Sequence, residues 1–146
     1  MNPPPSDRRV ARAVAWFEAM TRENVATLGD IYATNVSFRD PFNDVRGLAA
    51  VERIYVDMFD RLDDCRFEFL ETVVEERGAL LMWNMHFRFR QYRRATPQTI
   101  HGATHLKFDA NGKIVYHRDY WDAADELYTK LPVIGPLMRW LKRRMA

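Results

Sequence analysis

An α+β fold is the architecture this sequence predicts, and three features predict it. Helical apolar periodicity is confined to residues 10–62 and to the C-terminal end. Four runs rich in β-branched and aromatic residues follow one another between residues 65 and 122, with no helical pattern between them. Short turn signals separate these runs, as antiparallel neighbours require. Segregated helices and strands define α+β rather than alternating α/β. A meander with three helices laid on one side is expected to curl into a cone-shaped barrel.

The 146 residues are read as a single domain, long enough for a real core. Residues 1–6 are expected to form a flexible arm, and residues 132–146 an amphipathic C-terminal helix. The formal net charge of +2 does not indicate a global nucleic-acid field. One cysteine, Cys65, excludes a disulfide framework and a thiolate metal site. It is read as a small buried apolar residue, and a reducing, cytoplasmic location is consistent with it. No apolar run approaches the ~20 residues of a membrane span.

Each element has its local reason. Ser6 or Asp7 can cap a helix with Val10, Ala13, Val14, Phe17 and Met20 along one stripe. Asn24 can cap a short second helix that turns Val25, Leu28, Ile31 and Tyr32 inward. Residues 36–40 form a short strand ended by Pro41, with Val36, Phe38 and Asp40 on one face. Asn43, Asp44 and Gly47 mark a turn. Residues 48–62 carry the strongest helical stripe: Val51, Ile54, Tyr55, Met58, Phe59 and Leu62. Asp63-Asp64 turns the chain into a strand over 65–76, and Arg77-Gly78 turns it into another over 80–91. Asp122 can cap a short helix from Ala123 to about residue 130. Pro136 suits the first turn of the last helix.

The stretch 99–122 is a hairpin around Ala110-Asn111-Gly112. Pairing Asp109 with Lys113 sets Leu106 opposite Tyr116, His105 opposite His117 and Ala103 opposite Asp119. Alternation then sorts the side chains. Ile100, Gly102, Thr104, Leu106, Phe108, Tyr116 and Arg118 share one face. His101, Ala103, His105, His117, Asp119 and Trp121 share the other. Three of the four histidines and a carboxylate on one face form the strongest functional signal in the chain.

Several motifs together resemble a known family. F-R-D-P-F, G-L-A-A-V-E-R-I-Y, W-N-M-H-F, G-A-T-H-L-K-F-D-A-N-G-K-I and H-R-D-Y-W-D are similar to the SnoaL-like members of the nuclear-transport-factor-two-like superfamily. That superfamily includes ketosteroid isomerases, polyketide cyclases, limonene epoxide hydrolase and scytalone dehydratase. The resemblance spans residues 10–130. It implies a conical fold, one deep pocket, no metal or other cofactor, and commonly a homodimer through the outer sheet face. It says little about the reaction, because the fold hosts many chemistries.

Carried over by position, the resemblance implies that Asp119 is the pocket aspartate. His105 then resembles the histidine that accompanies it in cyclases. Phe38 and Asp40 fall where the hydrolase brings a tyrosine and a polar group into its pocket. Asn84 and His86 fall where the hydrolase has an arginine and a second aspartate, so that enzyme's Asp-Arg-Asp set is missing. The isomerase's Tyr and protonated Asp pair has no clear match either. With Asp119 inside, alternation brings His101, His105, His117 and Trp121 inside with it. Trp83, Met85, Phe87 and Phe89 then face outward as the dimer surface. The competing reading makes that aromatic stripe the helix-facing core and turns the histidines to water. If Asn84 pairs with His105, His86 lies beside Ala103. A substrate then sits over Ala103, between His86 and Asp119.

A metal is not expected, since His101 and His105 lie ~13 Å apart along one strand. His105 and His117, ~5 Å apart, could share an ion, but a third ligand is hard to supply except through Lys107 or Asp119 on a diagonal. The C-terminal segment carries Arg139, Lys142, Arg143 and Arg144 with no acid. It suits a peripheral membrane helix, or a terminal helix that covers the pocket mouth. One or two turns of apolar surface favour the second. Two functions are thus expected to compete. One is a cofactor-free acid–base enzyme for a small hydrophobic carbonyl or ring compound, with Asp119 as base and His105 or His86 as acid. The other is a non-catalytic dimeric ligand-binding or assembly domain.

Overall fold

The computed structural model describes residues 7–91, 93–128, 131–132 and 134–146. The expected arm, with Ser6 as a capping candidate, lies outside them. Asp7 caps α1 (Arg8–Glu18), its carboxylate accepting from the backbone N–H of Arg9 and Val10. The predicted stripe is the buried one: Val10, Ala13 and Phe17 face the core. Residues Asn24–Asp30 form a 3₁₀ turn that buries Val25 and Leu28. Asn24 does not cap it. Its side chain instead donates to the Ala19 carbonyl, where α1 ends, and accepts from the Thr21 N–H.

The strands are β1 (Tyr32–Arg39), β2 (Asp44–Arg46), β3 (Leu62–Val74), β4 (Gly78–Phe89), β5 (Gln98–Phe108) and β6 (Ile114–Tyr120). They form one open, curved sheet in the order β2-β1-β6-β5-β4-β3. The expected meander is therefore β3 to β6, and β1 joins it in parallel beside β6. The sequence reading did not find β2, a three-residue strand inside the predicted turn. Asp63-Asp64 is not a turn. It lies within β3, where the pairing with β4 shifts register and Asp64 takes a φ of 53°.

Helix α2 (Leu48–Arg61) lies on the same side of the sheet as α1 and buries Val51 and Tyr55. Two short helices follow β6: α3 (Ala123–Glu126), capped by Asp122 as expected, and α4 (Ile134–Met145).

The face assignment needs correction. Trp83, Met85 and Phe87 are buried in the core, as are Leu81, Ile100, Leu106 and Phe108. They face the helices and not outward, as the carried-over reading had expected. Removing such side chains from water stabilises by ~1.5–3 kcal/mol each, and here α1 and α2 do the covering. The outer face of the sheet carries His86, Asn84, His101, Ala103 and His105. The reason is a bulge. Phe108 pairs with Ile114 as predicted, but Lys107 pairs with Tyr116, Leu106 with His117 and Thr104 with Asp119. One extra residue on β6 inverts its alternation relative to β5. His117 and Asp119 join Thr104 and Leu106 on the inner face. Tyr116 and Arg118 join His105 on the outer one.

Candidate active site

The site forms where the inner faces of β4, β5 and β6 meet α1 and α2. Its walls are Phe17 from α1, Ile54 and Met58 from α2, and Phe67, Phe69 and Met85 from β3 and β4. They enclose a cavity of about 80 Å³. Its polar inventory is short: Tyr55, Thr104, His117 and Asp119, with Trp83 and Trp121 alongside. A wider groove of about 590 Å³ shares Asp119 and Trp121 and runs past Arg39, Asp40 and Arg118. Gly102 makes room for the indole of Trp83, since a Cβ at Gly102 would lie 2.6 Å from that ring.

The polar groups form one continuous chain. The Tyr32 hydroxyl lies 2.8 Å from the Tyr55 hydroxyl and 2.8 Å from Nδ1 of His117. His117 Nε2 lies 2.8 Å from Oδ1 of Asp119. The Thr104 hydroxyl donates to the same oxygen at 2.6 Å, and the Trp83 indole N–H donates to the Thr104 hydroxyl at 2.7 Å. The directions follow from the chemistry of the ends. An ionised carboxylate only accepts, so His117 donates from Nε2. In the neutral imidazole Nδ1 then accepts from Tyr32, and Tyr32 accepts from Tyr55. Burial pushes both phenols above their ordinary range, and the charge of Asp119 adds to this. Both phenols therefore stay protonated donors.

Both bonds to Asp119 fall on Oδ1. Oδ2 carries no bond to another described side chain. The carboxylate side chain is 18% exposed, whereas its His117 partner is 4% exposed. Phe38 stacks on the His117 ring at 4.4 Å, and Phe17 meets it edge-on at 5.8 Å. The imidazole is thus fixed by packing on its faces and by hydrogen bonds at both nitrogens. Such support holds a reactive group in one geometry.

Of the residues singled out from sequence, the structure brings Asp119, His117 and Trp121 to the cavity, with Phe38 behind His117. Asp40 lies at the edge of the wider groove, where its carboxylate accepts from the N–H groups of Phe42 and Asn43 and closes a turn. His86, His105, His101, Asn84 and Ala103 do not reach the cavity. His86 bonds Glu68 and Thr99, His101 bonds Asn84, and His105 stands 3.9 Å from Glu75. The pairings also differ from those expected: Asn84 pairs with His101, His86 with Thr99, and Ala103 with Tyr120. Sequence reasoning missed Tyr32, Tyr55, Thr104 and Trp83 as members of the polar chain. Tyr32 and Tyr55 were visible only as apolar-stripe residues. A phenol on a buried stripe needs a partner, and that need was the available signal. Cys65 does not line the cavity, and burial pushes its thiol up to about 12.

This arrangement, a carboxylate at an apolar cavity under a helix-covered open sheet, can be set beside known proteins. The chain belongs to the SnoaL-like domain family, whose profile matches residues 13–117. Among curated proteins, none matches. Solved structures share the fold. A protein with a ketosteroid isomerase-like fold from Catenulispora acidiphila, in complex with trimethylamine, superposes with a TM-score of 0.69 at 16% identity, covering 79% of this chain and 88% of its own. An M. tuberculosis LEH-like epoxide hydrolase gives 0.66 at 18% identity and 84% coverage of each chain. A Rhodopseudomonas palustris protein provisionally called an isomerase gives 0.69 at 19% identity, with 84% and 96% covered. At these identities the likeness establishes the fold, which is the cone-like α+β fold of this superfamily.

Proposed function

We propose that this protein is a cofactor-independent acid–base enzyme acting on a small hydrophobic carbonyl or ring compound. The observation that carries this reading is the polarised Asp119: Oδ1 is held by Thr104 and His117, and Oδ2 is left to accept a proton at an apolar cavity. A buried carboxylate is costly unless bonded or used, and here one oxygen is bonded and one is not. In the proposed step Oδ2 takes a proton from the carbon next to a carbonyl. The C–H electron pair moves into the enolate, and the proton later returns to carbon. His117 positions the base and, through Tyr32 and Tyr55, is itself positioned.

The second reading is a ligand-binding module. One observation favours it: Trp83, Thr104 and His117 donate along the chain that ends on Asp119, and Tyr55 donates to Tyr32. Proton exchange at the α-carbon of cyclopentanone and 2-cyclohexenone in D₂O, followed by proton NMR, separates the two readings. The enzyme reading expects exchange above background that falls by ~10²–10⁴-fold in Asp119→Asn. Binding shifts without exchange would favour the module. Exchange unchanged in Asp119→Asn would remove Asp119 as the base.

A further inference from the structure

Helix α4 does not behave as a terminal helix that covers the pocket. Of its twelve residues only Gly135 is buried, and none lines the cavity or the wider groove. Ile134, Leu137, Trp140 and Met145 are 43%, 52%, 46% and 85% exposed. Leu137 and Trp140 lie three apart on one side of the helix, with Ile134 one turn earlier. The same helix carries Arg139, Lys142, Arg143 and Arg144, and no acid. Lys142 pairs with Asp125, and the Arg144 guanidinium lies 5.3 Å from the centre of the Trp140 ring. The whole chain has a formal net charge of +2. With four basic residues and no acid in α4, the remainder is net −2. The net positive charge of the chain is therefore contributed by this helix.

We infer that α4 docks this protein on an anionic lipid surface, lying flat in the headgroup layer. Both halves of the helix surface are needed for that partner. A nucleic acid would match the cations and leave Ile134, Leu137 and Met145 exposed. An apolar protein groove would match the ridge and draw the exposed guanidinium groups of Arg143 and Arg144 out of water, at a desolvation cost. A phosphate-bearing lipid surface takes both, with Trp140 and Arg144 side by side at the headgroup boundary and the leucine and isoleucine below it. At 12 residues the helix is ~18 Å long, too short to cross a bilayer of ~30 Å. Nor is any other described helix long and apolar enough to cross one.

The test is co-sedimentation of the full chain with vesicles of phosphatidylglycerol and phosphatidylcholine in equal parts, against pure phosphatidylcholine. The expected result is binding to the anionic vesicles at low salt and its loss at high salt. Pure phosphatidylcholine should not bind. Two double variants place the contact: Arg143→Glu with Arg144→Glu, and Leu137→Ser with Trp140→Ser. Each should weaken binding about tenfold or more while the thermal midpoint stays within a few degrees, because all four side chains are exposed. Absence of binding to anionic vesicles at low salt overturns the inference, as does equal binding to pure phosphatidylcholine. Binding that neither double variant weakens overturns the role of α4. Binding to duplex DNA with the same variant dependence, and none to vesicles, identifies a different partner and also overturns it.

Discussion

Four histidines lie on the three strands β4, β5 and β6, and only His117 faces the helices. It is buried, stacked on Phe38, and bonded at both ring nitrogens. His86, His101 and His105 look outward from the same sheet and bond Glu68, Asn84 and, more loosely, Glu75. His105 and His117 occupy adjacent strands, and their register partners are next to each other: His105 faces Arg118, and Leu106 faces His117. Residue type and strand neighbourhood are thus alike. What separates the two is one bulge, which sends one imidazole to water and the other into the core. On the outer face a histidine has consequences that solvent screens. The bond from His86 holds the Glu68 carboxyl below its ordinary range, but both groups remain at the surface. On the inner face the same ring is a junction between two phenols and a carboxylate.

This contrast is sharpest under substitution. His117→Ala removes a packed ring, deprives Tyr32 of its acceptor and leaves Asp119 with one donor. A loss of ~3–5 kcal/mol in urea unfolding is expected. His105→Ala should stay within ~0.5 kcal/mol in the same measurement. Similar losses for the two variants would break the comparison.

A smaller effect tests whether the buried chain is continuous. Tyr32→Phe keeps the ring but leaves His117 Nδ1 and the Tyr55 hydroxyl without their shared partner. The expected cost is ~1–3 kcal/mol. A double-mutant cycle with Tyr55→Phe should show coupling, since the two hydroxyls share one bond. Additive losses would mean that the two phenols act separately.

The smallest effect lies far from the site and sharpens the contrast between buried and half-exposed polar groups. Asp7→Ala removes the cap of α1 and should cost ~1 kcal/mol at neutral pH. The Arg9 side chain, followed by the backbone N–H bonds, holds the Asp7 carboxyl down at about 2 against an ordinary 3.8. A folded value below the unfolded one stabilises the fold above the unfolded value. That contribution fades as pH falls through the folded value. The gap between wild type and Asp7→Ala should therefore narrow from about pH 4 downward to about pH 2. A gap that stays constant through that window would show that the carboxylate charge contributes nothing.

The sequence by itself determined the fold class and the order of the main helices and strands, and it singled out Asp119, which lines the cavity. Periodicity carried the first two, because the apolar stripes of α1 and α2 and the alternation within each strand are local properties. Position on β6 carried the third, with its flanking His117 and Trp121. Only the tertiary structure decided which neighbours Asp119 has. Strand alternation is reliable within one strand, but it passes from β5 to β6 only through the hairpin register. The bulge at Lys107–Phe108 against Ile114–Tyr116 inverts that register. The inversion replaced His105 and Ala103 with Thr104 and Leu106 opposite the site. It also let the aromatic stripe of β4 and the carboxylate share one interior, where the sequence reading had treated them as exclusive. Tyr32 and Tyr55 come from β1 and α2, far apart in the chain. Their meeting at His117 is a consequence of packing that no local pattern encodes.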